Sequence, residues 1–188
     1  MGASLTDVQW RTPTRCTGWD VAAVYAHHSA FPRAVDAPLP ATDAPGDPIT
    51  AVTLLRGFNA PDGVAHALAA AVADREVQEA ASHTRAELVG RFATHGPSAV
   101  AHLRAGRPDL IVPWAGAAVL PLVEVLRILL LEATVHLLDV LRALDLPPDL
   151  PAAATTDTAL LLAEMAPPVD FIETATGRST TSPLPVLR

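Results

Sequence analysis

The chain has little cysteine, few aromatic residues and no run of basic residues. Cys16 is the single cysteine among 188 residues, so no disulfide can form within the chain. This is typical of a reducing compartment, and we expect a cytoplasmic protein. Aromatic residues make up only 4% of a chain that is 50% hydrophobic, so Ala, Leu and Val carry the apolar content. Such a composition favours helices over strands.

Charge and hydropathy argue against two classes of partner. The formal net charge is −7, and a chain this acidic is a poor candidate for binding nucleic acid or an anionic membrane. The first seven residues lack the basic and apolar parts of a secretory signal. The most apolar segment, 115–131, contains Glu124 and Arg127, which indicates a core helix rather than a membrane span.

The hydrophobic pattern predicts an all-α bundle with four main helices. We expect the helices to be separated by a Pro-rich loop at 37–48, an interruption at Gly96-Pro97 and a connection at 106–115. We expect no strand of useful length. Asp20 is placed to cap the first long helix and Gly177 to end the last. The predicted helices cover 19–35, 49–59, 62–72, 76–94, 98–105, 116–144, 152–165 and 169–177. We expect one bundle domain over 1–178 and a Ser/Thr/Pro-rich tail over 179–188.

The most informative segment is a polar stripe inside the apolar helix at 116–144. Glu132, His136 and Asp139 are four and seven residues apart and share one helix face. A carboxylate and an imidazole that face a core are costly unless something satisfies them. A metal ion does so, because it binds neutral imidazole and ionised carboxylate together. The alternatives are a hydrogen-bonded polar pair in the core and, for Asp139, an ion pair with Arg142.

A tight metal site needs a third ligand, because catalytic zinc has about three protein ligands. His27 and His28 lie in the helix at 19–35 and point about 100° apart. Both share a face with apolar residues, so the helical period does not choose between them. The residues alone leave the third ligand open.

Four separated segments then resemble one known family. A Pro-x-x-Cys-x-Gly-Trp-x-Val segment, Pro13 to Val21, is followed by His27, nine residues after Gly18. Leu126-Arg127 precedes Glu132, His136 and Asp139 at fixed offsets, and 112–116 and 171–178 are also similar. These motifs resemble the mycothiol-dependent maleylpyruvate isomerase family, part of the DinB-like superfamily.

The resemblance implies a DinB-like four-helix bundle that holds a divalent metal, usually zinc. The implied ligands are His27, Glu132 and His136, and the open positions take water or a thiol such as mycothiol. Asp139 would orient a ligand or take a proton. Apart from the resemblance, Trp114 is a candidate to line the mouth of a substrate site, with a packing role as the alternative. His28 is a candidate to contact the substrate or to support a metal ligand, with a solvated helix position as the alternative. Cys16 is expected to be a buried structural thiol, and a metal-binding or redox role is the alternative.

The chain departs from the family pattern in two places. It begins close to the first motif, so the bundle either lacks its usual first helix or is shortened there. It also ends shortly after 171–178, without the C-terminal α/β domain of the full isomerases, so we do not expect maleylpyruvate isomerisation itself. An apolar face left by a missing helix predicts a homodimer.

Three hypotheses about function follow. The first is a metal-dependent enzyme that activates a low-molecular-weight thiol, or water, for transfer or isomerisation on a small electrophilic metabolite. The second is a thiol-independent, metal-dependent tailoring or hydrolytic enzyme of secondary metabolism. The third is a non-catalytic helical protein that binds a ligand or a metal.

Overall fold

The computed structural model describes residues 1–36, 47–114 and 118–187 of the chain. Apart from a 3₁₀ turn at Gly2–Ser4 and one small hairpin, the regular structure in these residues is α-helical, which confirms the predicted all-α DinB-like bundle. The helices are α1 (Asp7–Trp10), α2 (Val21–Ala34), α3 (Ala51–Phe58), α4 (Val64–Ser82), α5 (Arg85–Ala105), α6 (Leu122–Ala143), α7 (Ala152–Met165) and α8 (Pro168–Ala175). Strands β1 (Ile111–Trp114) and β2 (Ala118–Pro121) pair antiparallel, with Ile111 opposite Pro121.

Helix α2 lies at the centre of the bundle and packs against α4, α5 and α6. Helix α6 packs against α7 as well, and α7 packs against α3. The buried apolar side chains form two clusters. The first contains Ala51, Leu54, Leu55, Val112, Leu120, Val125, Ile128, Leu131, Leu161 and Met165. The second contains Trp10, Trp19, Val21, Ala23, Val24, Ala26, Leu88 and Val140. Helix α6 contributes Leu131 to the first and Val140 to the second. The polar stripe at 132–139 therefore lies between the two clusters.

The boundary between α4 and α5 differs from the prediction. Helix α4 runs unbroken from Val64 to Ser82, so the expected break between 72 and 76 is wrong. The chain breaks at His83 and Thr84 instead, where the Thr84 side chain accepts a hydrogen bond from the Glu87 backbone N–H and the Glu87 side chain accepts one from the Thr84 N–H. This capping box satisfies two backbone donors that the start of a helix leaves free, and it fixes the start of α5.

The expected interruption at Gly96-Pro97 is also wrong, because α5 continues through it to Ala105. Pro97 lacks the N–H that would bond one turn back, so it removes one helical hydrogen bond without ending the helix.

The hairpin adds two short strands where the sequence predicted no strand of useful length. Residues 118–121 pair with β1, so α6 begins at Leu122 rather than near 116, and 115–117 lie outside the described residues. Each strand is a four-residue apolar run that contains a proline, and helical periodicity does not distinguish such short runs from the start of a buried helix.

The remaining elements follow the sequence closely. Asp20 accepts a hydrogen bond from the Ala23 N–H at the start of α2, as predicted, and α7 covers the predicted 152–165. Gly177 follows α8 with φ +69°, a left-handed conformation that glycine adopts without strain. Residues 179–187 carry no helix or strand, and Val186 and Leu187 pack against the first cluster. Most of the predicted loop, 37–46, and Arg188 lie outside the described residues.

The structure also bears on the membrane question. Within 1–36, 47–114 and 118–187, each helix is too short or too polar to cross a membrane.

Candidate metal centre

Helices α2 and α6 bring together three residues that are far apart in the sequence. His27 lies on α2, and Glu132 and His136 lie one turn apart on α6. Oε2 of Glu132 is 3.5 Å from Nε2 of His136 and 4.0 Å from Nε2 of His27. The centroids of the two imidazole rings are 5.4 Å apart. One carboxylate oxygen thus faces the Nε2 atoms of both histidines.

The other ring nitrogen of each histidine faces a second carboxylate. Nδ1 of His27 lies 3.4 Å from Oε1 of Glu76, a buried residue of α4. Nδ1 of His136 lies 3.0 Å from Oδ2 of Asp139. Carboxylates on the far nitrogens orient both rings and leave the Nε2 atoms on the Glu132 side, which is the arrangement that metal-ligating histidines require.

Both carboxylate oxygens of Asp139 are engaged. The Arg15 guanidinium donates to Oδ1 from Nε at 3.1 Å and from Nη2 at 2.7 Å. The Cys16 thiol donates to Oδ2 at 3.1 Å and also lies 3.6 Å from Nδ1 of His136. The partner of Asp139 is thus Arg15, not Arg142. Cys16 is half-buried and belongs to the site, in addition to the packing role expected for it.

His28 lies in the same cluster. Its ring centroid is 5.0 Å from that of His136 and 5.5 Å from that of His27. One ligand nitrogen from each of the three imidazoles lies within 4.8 Å of the others. Nε2 of His28 is buried and has no hydrogen-bond partner among the residues that the structure describes.

The carboxylates give the site a strong preference for positive charge. Burial by itself would raise the pKa of Glu132, but hydrogen bonds from His136 and His27 outweigh it and lower that pKa to about 2. Burial would likewise lower the pKa of His136, but its hydrogen bonds to Asp139, Cys16 and Glu132 raise it to about 11. Hydrogen bonds from His136, Cys16 and Arg15 outweigh burial at Asp139 as well, and its pKa is lowered.

His28 has the opposite protonation preference. Burial, together with the neighbouring His136 and His27, lowers its pKa to about 3. The site therefore contains a neutral imidazole beside a His136 imidazole that is positively charged near neutral pH.

The donor set fits a divalent cation. Ligand distances of about 2.0–2.2 Å place two donors of a tetrahedral ion about 3.3 Å apart, close to the observed separation of Glu132 and His136. Cys16, His136 and Asp139 form a second group whose donors also lie within 4.8 Å of one another. Its atoms already bond to one another and to Arg15, whereas the Nε2 side of His136 faces Glu132 and the other imidazoles.

An apolar cavity of about 350 Å³ opens beside the cluster. His28 and His136 are the two imidazoles in its wall, so the cavity reaches the centre directly. The other lining residues are Met1, Gly2, Val24, Tyr25, Val89, Phe92, Ala133, Leu137 and Val140. Trp114 is not among them, because it lies at the end of β1 and packs against the first cluster. The structure thus does not bring Trp114 to the site.

Sequence reasoning missed Glu76 and the role of Arg15. Glu76 occupies a position on α4 where one apolar face runs through Val72, Ala73 and Ala80, and all three pack against the second cluster. The sequence signal that could have identified Glu76 is a single carboxylate on this otherwise apolar helix face. Nothing in the local sequence of Arg15 indicates that it reaches Asp139, because that contact depends on how the first motif folds against α6.

The family model described as the mycothiol maleylpyruvate isomerase N-terminal domain matches residues 1–141. This range contains His27, Glu132, His136 and Asp139. Neither a curated protein nor a solved structure matches the chain.

Proposed function

The chain belongs to the mycothiol maleylpyruvate isomerase N-terminal domain family, and we propose that it is a metal-dependent enzyme acting on a small electrophilic metabolite. The proposed ligands of the ion, most simply zinc, are His27, Glu132 and His136. The co-reactant is a low-molecular-weight thiol of the mycothiol type or, failing that, water. The mycothiol chemistry for which the family is named supports the thiol, and the donor set supports the metal.

One observation carries the proposal. The Nε2 atoms of His27 and His136 face the same Glu132 oxygen, while a separate carboxylate holds each Nδ1. A buried imidazole with a purely structural role needs one carboxylate as its partner. This site places three carboxylates beside two imidazoles. Arg15 balances the charge of Asp139 and Arg75 that of Glu76, so Glu132 is the carboxylate left beside both Nε2 atoms, and this combination of an anionic oxygen with two imidazole nitrogens supports a cation there.

A bound divalent cation lowers the pKa of a coordinated thiol or water and so supplies a nucleophile near neutral pH. The residues of the chain supply the positioning. Arg15 fixes Asp139, Asp139 fixes the His136 ring, and Glu76 fixes the His27 ring. Because both Asp139 oxygens are engaged, the structure supports the orienting role for Asp139 over the proton-accepting role.

The cavity beside His28 and His136 is the proposed position of the substrate. Its wall is almost entirely apolar, so we propose that the apolar part of the guest lies there while its electrophilic atom faces the imidazole cluster. His28 thereby keeps the place beside the substrate that the sequence suggested. For Trp114, a packing role accounts for its position.

The test of the metal site is metal analysis of purified protein and of three variants, His27→Ala, Glu132→Ala and His136→Ala. We expect about one equivalent of divalent metal in the wild type and less than a tenth of that in each variant. His66→Ala is the matched control, because His66 is exposed at the start of α4. Near-stoichiometric metal in all three site variants would overturn the proposal.

The choice of co-reactant needs a separate test. The metal-loaded protein is incubated with mycothiol and a panel of small electrophiles, and adducts are detected by mass spectrometry. Metal-dependent formation of a thiol adduct supports the thiol enzyme. Metal-dependent hydrolysis without thiol would instead indicate the tailoring or hydrolytic alternative, and tight binding without turnover the non-catalytic one.

Cytoplasmic location and homodimerisation are further proposals. The single free thiol, Cys16, supports a reducing compartment. Helix α4 exposes Val64 and Leu68 one turn apart, which supports self-association through that face. Light scattering after gel filtration tests the second point, and a strict monomer would contradict it.

A further inference from the structure

The cluster contains a third imidazole that the family resemblance does not assign to the metal. His28 follows His27 on α2, and a helix directs adjacent side chains about 100° apart. Even so, both rings lie close to His136, at centroid distances of 5.4 Å for His27 and 5.0 Å for His28. The ring of His28 is therefore as near to the ring of His136 as the ring of the expected ligand His27 is.

The hydrogen bonding of His28 differs from that of its neighbours. His27 has Glu76 and Glu132 beside its two nitrogens, and His136 has Asp139 and Glu132. Nε2 of His28 is buried without a hydrogen-bond partner in the part of the chain that the structure describes. A buried polar atom without a partner carries a desolvation cost, and a metal ion would remove it.

We propose that His28 is a fourth protein ligand, so that the centre is built from three imidazoles and one carboxylate. This inference rests on the proposed function, since it concerns the same ion. The donor atoms of His27, His28 and His136 lie within 4.8 Å of one another, whereas two donors of one tetrahedral ion lie about 3.3 Å apart, so the rings would rotate toward a common cation when it binds.

The fourth ligand changes which ions suit the site. Four protein ligands complete a tetrahedral zinc site, so a zinc ion would have to become five-coordinate to bind a guest. An ion that accepts five or six ligands, such as Co²⁺, Ni²⁺ or Fe²⁺, keeps one or two positions open. Because His28 and His136 both line the apolar cavity, such a position would be reached from that side. We therefore expect the centre to be more than four-coordinate when it binds a guest.

The test counts imidazoles at the metal by X-ray absorption spectroscopy on the Co²⁺-loaded, full-length protein. We expect three imidazoles in the wild type and two in His28→Ala, with a lower Co²⁺ affinity in the variant by about 100-fold or more, since loss of even an outer-shell partner costs about 10–100-fold. The visible Co²⁺ absorption of the variant should also strengthen as coordination falls toward four. His66→Ala should match the wild type in each measurement.

The wild-type measurement decides the matter even if His28→Ala does not fold. Two imidazoles in the wild type would overturn the assignment of His28 and leave the three-ligand centre in place. A wild-type protein that takes up no metal would overturn the proposed function together with this inference.

Discussion

At the scale of single residues, the site is organised by carboxylates that do not face the proposed ion. Glu76 and Asp139 each approach the Nδ1 atom of one histidine, and each is held in turn by an arginine, Arg75 or Arg15. These pairs restrict the rotation of two rings that would otherwise have to be ordered when metal binds. The conformational entropy of these two rings is thus lost during folding rather than when metal binds.

Glu76→Gln tests this role of the outer carboxylates. The amide keeps the shape of the side chain but removes its charge, so His27 loses its anionic partner. We expect metal affinity to fall about 10–100-fold while saturating metal still gives one equivalent. Competition with a chromophoric chelator measures the affinity.

Glu173→Gln is the matched control for Glu76→Gln, because Glu173 is exposed on α8 and the change of charge is the same. An unchanged affinity in Glu76→Gln would show that the contact with His27 is structural only.

Protonation of His136 should make the proposed metal binding depend on pH. Its pKa of about 11 means that the metal-free imidazole carries an extra proton near neutral pH, whereas Glu132, with a pKa of about 2, carries none. A metal ligand must be the neutral imidazole, so binding at pH 8 should release about one proton from His136. Affinity should accordingly rise about tenfold per pH unit between pH 7.5 and 9.

Calorimetry of metal binding in buffers of different ionisation enthalpy measures this proton. Asp139→Asn removes an anionic partner of His136 and should reduce the proton release, because it lowers the pKa of that imidazole. Binding without proton release in the wild type would contradict the proposed state of His136.

The residues of the site were predictable only where a motif contains them. Glu132 and His136 appear as a polar stripe because helical spacing is a local property, but the sequence alone left His27 and His28 equivalent. The resemblance to the family indicated His27 as the third ligand. The contacts of Arg15 with Asp139 and of Glu76 with His27 join elements whose relative placement no local spacing encodes.

At the scale of elements, hydrogen bonds at helix ends had more influence than composition. The Ala-rich segment of α4 continues through Ala73-Asp74-Arg75, where a break was expected, because good helix-forming residues give no reason to stop. Thr84 ends this run by capping α5. Helices with a cap or a proline at their ends, such as α2 and α7, were predicted correctly because those signals are local.

Thr84→Ala should lower the free energy of unfolding by about 1 kcal/mol, because it removes the hydroxyl that accepts from the Glu87 N–H. Chemical denaturation measures the change. Thr156→Ala is the matched control, since Thr156 is exposed within α7. Equal stability losses in the two variants would show that the capping box contributes little.

At the scale of the whole molecule, α6 joins the two apolar clusters, with the polar stripe between Leu131 and Val140. A cation bound by the proposed ligands would connect α2, which belongs to the second cluster, with a helix that spans both. Binding would therefore stabilise the folded chain as a unit, because the unfolded chain cannot assemble the ligands.

Metal at about 100 times its dissociation constant should stabilise the fold by about 2.7 kcal/mol, which corresponds to a rise in melting temperature of about 5–11 °C for a domain of this size. Thermal denaturation followed by circular dichroism, with metal and with chelator, measures the shift. His136→Ala should show no shift. A wild-type melting temperature that does not change when metal is added would argue against a metal site that forms on folding.

The most direct test of the central claim is anomalous diffraction from a crystal of the metal-loaded protein, recorded at the absorption edge of the bound metal. The account predicts one strong peak about 2.0–2.2 Å from Nε2 of His27, Nε2 of His136 and a carboxylate oxygen of Glu132. A peak held instead by Cys16, His136 and Asp139, or no peak from fully loaded protein, would contradict it.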